Sequence, residues 1–116
     1  MNTWTPKTIA ELKEDAKFSA DFLMNEAEEA FSNLNSISEF VSNWESFLFN
    51  SCFFDENKSS WFIELENKEI NISNLYKATF QVYESAKAFL KSLHLYSPYY
   101  YGCESMKSHY YKRDRE

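Results

Sequence analysis

Glycine and proline are almost absent from this chain of 116 residues, which has Gly102, Pro6 and Pro98 and no others. Tight hairpins, bulges and barrel corners usually require glycine, so their scarcity argues against an all-β fold. It also excludes glycine-rich phosphate loops and dinucleotide fingerprints. Because neither residue occurs between Lys7 and Ser97, we expect a helical domain.

Cysteine and histidine are also scarce, with two residues of each. Cys52 lies in the apolar run FLFNSCFF, where a cysteine usually behaves as a small buried hydrophobe. The sequence contains no Cys-x-x-Cys or His-Glu-x-x-His zinc motif, and no Glu-x-x-His of a di-iron bundle. We therefore predict no metal and no cofactor.

Nucleophilic catalysis has little support either. Cys103 follows Gly102 and precedes Glu104, whose carboxylate disfavours the reactive thiolate. The other carboxylates are concentrated on the polar side of an amphipathic first helix, where a solvated face explains them. We therefore predict that the protein is not an enzyme.

Aromatic residues, in contrast, make up 19% of the chain, and apolar residues recur with helical spacing. The first helix is predicted from Pro6 to Leu34, capped by Thr5 or by a capping box of Thr8 and Glu11. Its stripe has apolar residues every three or four positions: Ile9, Leu12, Ala16, Ala20, Leu23, Ala27, Ala30 and Leu34. Phe18, Phe22 and Phe31 widen this stripe, which indicates that the helix contacts more than one neighbour.

Two further helices are predicted from their capping residues. Ser36 and Glu39 form a capping box that predicts the start of the second helix. Asn71 or Ser73 predicts the start of a later helix, which should end before Ser97-Pro98 because the residue before proline avoids helical geometry.

The segment 60–72 is ambiguous, because its apolar residues alternate with polar ones as in a small hairpin. It has no glycine for the turn, and an isolated hairpin is only marginally stable, so we favour helix or irregular structure. The predicted fold is all-α: a single small helical bundle of about four helices, with a possible short hairpin or irregular segment at 60–72.

Charge divides the chain into two parts. The net charge is −6, and we assign residues 1–97 to an acidic helical bundle and 98–116 to a Tyr-rich, basic segment packed on the bundle or extending from it. An acidic body repels nucleic acid and membranes and favours basic partners. Because we find no secretory signal and no apolar run of membrane-spanning length, we expect a cytoplasmic protein that binds no membrane.

The C-terminal segment supplies the candidate binding residues. Tyrosine and arginine are enriched in binding surfaces, so we predict partner contacts from these aromatic and basic side chains: Tyr99, Tyr100, Tyr101, Tyr110 and Arg113. Three acidic residues of the first helix form the supporting electrostatic patch: Glu26, Glu28 and Glu29. The tyrosines could equally pack over the end of the bundle as a docked arm.

The functional hypothesis is a small acidic binding protein, such as an inhibitor, an immunity protein or an antitoxin-like regulator, with a protein partner that carries basic charge. An RNA-associated domain that uses the basic C-terminus is one alternative. The stretch ISEFVSNWESFLFNS is loosely similar to a bundle helix of HEPN-type domains. Since the arginine of their RNA-cleaving motif is missing, the resemblance implies a non-catalytic member. A structural subunit of a homo-oligomeric assembly is the other alternative.

Overall fold

The computed structural model describes residues 5–98. It contains four helices and three strands, in chain order α1 (Ile9–Ala30), α2 (Leu34–Ser51), β1 (Phe53–Asp55), β2 (Ser60–Leu65), β3 (Lys68–Asn71), α3 (Ile72–Leu75) and α4 (Lys77–Ser92). The strands form one antiparallel sheet in the order β1-β2-β3. The fold is therefore mixed, with helices and a small sheet, and the prediction of an all-α bundle is wrong.

The hairpin of β2 and β3 forms without glycine because its turn residues both adopt left-handed backbone conformations. Glu66 and Asn67 have φ values of 53° and 63°, between the paired residues Leu65 and Lys68. Asparagine tolerates this conformation better than most residues. The carboxylate of Glu66 accepts a hydrogen bond of 2.7 Å from the backbone N–H of Ile9, at the start of α1, which helps to stabilise the strained turn.

Contacts on both sides support the hairpin, so the argument from the instability of an isolated hairpin does not apply to it. β1 pairs with β2, placing Phe53 opposite Phe62, and α3 packs against β2. Ser73 accepts a 2.9 Å hydrogen bond from the backbone N–H of Trp61. Segment 60–72, for which we favoured helix or irregular structure, is thus an extended hairpin that runs into α3.

The capping box of α1 is confirmed. Thr8 accepts a hydrogen bond from the backbone N–H of Glu11, and the Glu11 carboxylate accepts one from Thr8. The predicted cap of α2 is displaced, since Asn33 is the N-cap and accepts a 2.9 Å hydrogen bond from the backbone N–H of Ser36.

The last two helices are separated at Tyr76, whose backbone lies outside helical geometry. Asn71, one of the two predicted caps, caps α3, but the single later helix that we predicted is divided into α3 and α4. α4 ends at Ser92, earlier than the predicted stop at Ser97, because His94 adopts a left-handed conformation with φ of 60°. The N–H groups of His94 and Leu95 return to the carbonyls of Lys91 and Leu90, which is the Schellman pattern that ends many helices.

The core lies where α4 packs against both α1 and α2, with the sheet and α3 beside them. Its most deeply buried aliphatic side chains are Leu12, Val41, Leu48, Ile63, Ile72 and Leu90. Cys52 is buried among them, as predicted, and this burial raises the pKa of its thiol. No helix between residues 5 and 98 is long and apolar enough to cross a membrane.

Candidate binding groove between the first two helices

The distal part of the α1–α2 helical hairpin projects beyond the core. We define the hairpin tip as residues 18–40, which include the second half of α1, the connection and the start of α2. Every residue of the tip is described, and none is buried. The apolar stripe of α1 continues through Leu23, Ala27 and Ala30, but these side chains are only half-buried. The tip therefore carries apolar surface that its own fold leaves partly uncovered.

An aromatic groove opens between α1 and α2, with a volume of about 460 Å³. We call it the α1–α2 groove. Its aromatic lining residues are Phe18, Phe22, Phe31, Phe40, Trp44 and Phe47.

The aromatic walls are formed by contacts within each helix and across the connection. Phe18 and Phe22, one turn apart on α1, stack with ring centroids 6.3 Å apart. Phe31 meets Phe40 edge to face at 5.0 Å, which closes the groove at the connection. Phe18 is 68% exposed, a large fraction for a phenylalanine. The α1 wall is therefore the more accessible side of the groove.

Trp44 lies where the groove meets the core. Its ring contacts Tyr76 and Phe80 at centroid distances of 5.3 and 5.2 Å, so it is held by packing from α3 and α4. Its indole N–H is buried and has no hydrogen-bond acceptor among the described residues. An unsatisfied buried donor costs about 1–3 kcal/mol.

The segment that forms most of the groove is acidic. Between Lys17 and Lys58 the sequence has no basic side chain and eight acidic ones. Asp15 and Glu39 line the groove itself, one from each helix. The Asp15 carboxylate accepts a 2.7 Å hydrogen bond from the hydroxyl of Tyr76, which ties the proximal half of α1 to the junction of α3 and α4.

The three acidic residues predicted from sequence all lie on the tip, where each is exposed. At 100° per residue, Glu26 and Glu29 continue the groove face of α1 beyond Phe22, whereas Glu28 faces away. Glu26 and Glu29 thus add negative charge on the groove side of α1, between Phe22 and the connection. Neither of these two residues is among those that line the groove.

The predicted C-terminal binding residues lie outside the described residues. These are Tyr99, Tyr100, Tyr101, Tyr110 and Arg113. The groove aromatics were not predicted as a site. The signal that could have revealed them is the widened stripe of Phe18, Phe22 and Phe31, which is too broad for one helix–helix contact.

A second polar cluster lies inside the protein around Glu45, whose side chain is 1% exposed. Its carboxylate accepts hydrogen bonds from the hydroxyls of Tyr83 at 2.6 Å and Tyr96 at 2.5 Å. Burial, followed by the hydrogen bond to Glu45, raises the pKa of Tyr83. The Nζ atom of Lys87 lies over the Tyr83 ring, 5.1 Å from its centroid.

The Glu45 cluster has a structural role. Tyr96 follows the end of α4, so its hydrogen bond to Glu45 fastens this end of the described chain to α2. The cluster holds the Glu45 carboxyl group between the two tyrosine hydroxyls inside the protein. Within residues 5–98, no group of three or more His, Cys, Asp or Glu side chains is placed to hold a metal ion.

Comparisons with known protein families, with curated proteins and with solved structures find no match to this chain. The functional argument therefore depends on the groove and its charge.

Proposed function

We propose that this protein is a small acidic binding protein, of the inhibitor, immunity or antitoxin-like kind, which acts by contact between the hairpin tip and a basic protein partner. The observation that carries this proposal is that exposed aromatic surface and acidic charge occur together on residues 18–40, a segment that contains no Lys or Arg. A helical hairpin that served only as part of the core would bury its apolar stripe.

The two features have different roles in binding. Carboxylates at the edge of an interface steer a basic partner and increase the association rate, while buried aromatic anchors supply most of the affinity. The tip places Glu26 and Glu29 beside Phe22, so steering charge and anchoring surface occupy the same face of α1. The C-terminal tyrosines predicted from sequence remain proposed partner contacts.

The proposal is tested by affinity capture from the native host with three forms of the full chain. One is the wild type, one carries Glu26→Gln, Glu28→Gln and Glu29→Gln on the tip, and the control carries Glu14→Gln, Glu69→Gln and Glu84→Gln. All six residues are exposed, and both variants remove three charges.

We expect a protein that the wild type and the control retain equally, and that the tip variant retains several-fold less, with a difference that decreases at high salt. Equal retention by all three forms would contradict the proposal. Capture that nuclease treatment abolishes would instead favour the RNA-associated alternative.

A further inference from the structure

We infer that the α1–α2 groove binds an amphipathic helix of the partner, with an apolar stripe on the aromatic walls and Lys or Arg side chains toward Asp15, Glu39 and the distal acids of α1. This inference rests on the proposed function and specifies the chemistry of the partner segment. Apart from the distal acids of α1, its residues were not predicted from the sequence to bind a partner.

The shape of the groove favours a helix. Its walls are two helices, and their lining residues recur at helical spacing, as in Asp15, Phe18 and Phe22 on α1. A third helix can pack against such a surface, with its ridges of side chains in the grooves between the side chains of α1 and α2. An extended peptide gains affinity chiefly from hydrogen bonds to an exposed sheet edge, and helical walls have no such edge. The groove face from Asp15 to Ala30 is about 22 Å long at 1.5 Å per residue, which suits a helix of about four turns.

The charge favours a basic partner over a second copy of this chain. A symmetric dimer through the groove would bring the same surface of both subunits together. Each surface contributes Asp15, Glu39 and the tip acids with no basic side chain between residues 18 and 57. Like charges at an interface oppose association. A helix with lysines beside its apolar stripe instead compensates this charge.

Trp44 forms part of the inner wall of the groove. Its indole ring is 8% exposed and its N–H has no acceptor in the described part of the chain. A partner helix inserted against Phe22 and Phe40 would lie directly next to this ring.

The test uses a synthetic helical peptide of about fourteen residues, with leucines on one face and lysines on the other, matched in length to the groove. One control peptide replaces lysine with glutamate, and a second has the same composition in an order without helical periodicity. Binding to the full-length protein is measured by titration of backbone amide NMR shifts. We expect binding of the lysine peptide alone, with shift changes concentrated in residues 15–47.

Two variants of α1 provide matched controls for the protein. Phe18 is 68% exposed and lines the groove, whereas Met24 is 82% exposed and lies roughly 160° around the helix from Phe22. Neither supports the core, so both variants should fold. We expect Phe18→Gln to weaken peptide binding about tenfold or more and Met24→Gln to change it less than about twofold.

Equal effects of the two variants would overturn the inference, as would equal binding of the lysine and glutamate peptides. Stronger binding by a peptide of residues 99–116 would overturn it as well, because the chain itself would then supply the occupant. Self-association that Phe18→Gln abolishes would assign the groove to a second copy. If the tip variant loses the partner in affinity capture but the peptide results fail, the proposed function stands and the inference of a helical partner segment is contradicted. If the peptide results succeed but all forms capture equally, the groove binds helices and the proposed function is contradicted.

Discussion

The two halves of α1 have the same sequence pattern but different environments. In the first half, Leu12 is fully buried, Asp15 is hydrogen-bonded to Tyr76, and Glu66 caps the helix start at Ile9. In the second half, the same stripe continues through Leu23 and Ala27 without a buried residue. The comparison shows that apolar periodicity specifies a helix and its face, whereas the packing partner of that face must come from elsewhere in the chain or from another molecule.

The largest expected difference between the halves is in their contribution to stability. Leu12→Ala should lower the free energy of unfolding by about 3–4 kcal/mol, because it opens a cavity in a close-packed core. Leu23→Ala, the same substitution on the same helix, should lower it by only about 1 kcal/mol, since that side chain is only partly buried. Urea denaturation of both variants measures the difference. Equal losses would show that the tip is packed as tightly as the core.

A smaller difference is expected between acidic residues of the two regions. Glu45→Ala removes the acceptor of the Tyr83 and Tyr96 hydroxyls inside the protein, and should cost about 2–3 kcal/mol of stability. Glu28→Ala on the exposed tip should change stability by less than about 0.5 kcal/mol. The same denaturation experiment compares them. A neutral Glu45→Ala would contradict the structural role assigned to that cluster.

Much of the helical structure could be predicted from local sequence signals. The Thr8–Glu11 capping box, the α2 stripe through Val41 and Trp44, and the burial of Cys52 all depend on neighbours close in sequence. The sheet could not be predicted in this way. Its glycine-free turn is supported by the contact between Glu66 and Ile9, which lie 57 positions apart, and by the pairing of β1 with β2.

The candidate site was only partly predictable for a similar reason. Acidic charge on α1 is visible in the sequence, and Glu26 and Glu29 do continue the groove face. The groove itself exists because α1 and α2 present Phe22 and Phe40 to the same space, and the relative placement of two helices is not encoded in either one alone. The excess of phenylalanine on α1 was the only local sign of it.

The last comparison between the core and the tip is the loss of stability at alkaline pH. Burial first, and hydrogen bonds to Asp15 and Glu45 second, raise the pKa values of Tyr76 and Tyr83 in the folded protein. Unfolded tyrosines ionise near pH 10, so the unfolded state loses these protons first. The contribution of these two tyrosines to stability is therefore fully present below about pH 10. Above that pH the free energy of unfolding should fall by up to about 1.4 kcal/mol per pH unit for each tyrosine.

Denaturation at increasing pH measures this slope, with Tyr83→Phe as the variant that should reduce it. The tip contains no tyrosine, so Leu23→Ala should leave the slope unchanged. An unchanged slope in Tyr83→Phe would contradict the assignment of alkaline sensitivity to the Glu45 cluster.

Hydrogen exchange of the full-length protein, with and without the lysine-rich helical peptide, tests most directly the claim that the tip is a surface built for a partner. In the free protein, amides of residues 18–40 should exchange faster than those of β2 and α4, because few buried contacts protect them. The peptide should slow exchange in the tip and leave the sheet unchanged. Exchange in the free tip as slow as in the core, or protection by the peptide confined to the sheet, would contradict the account.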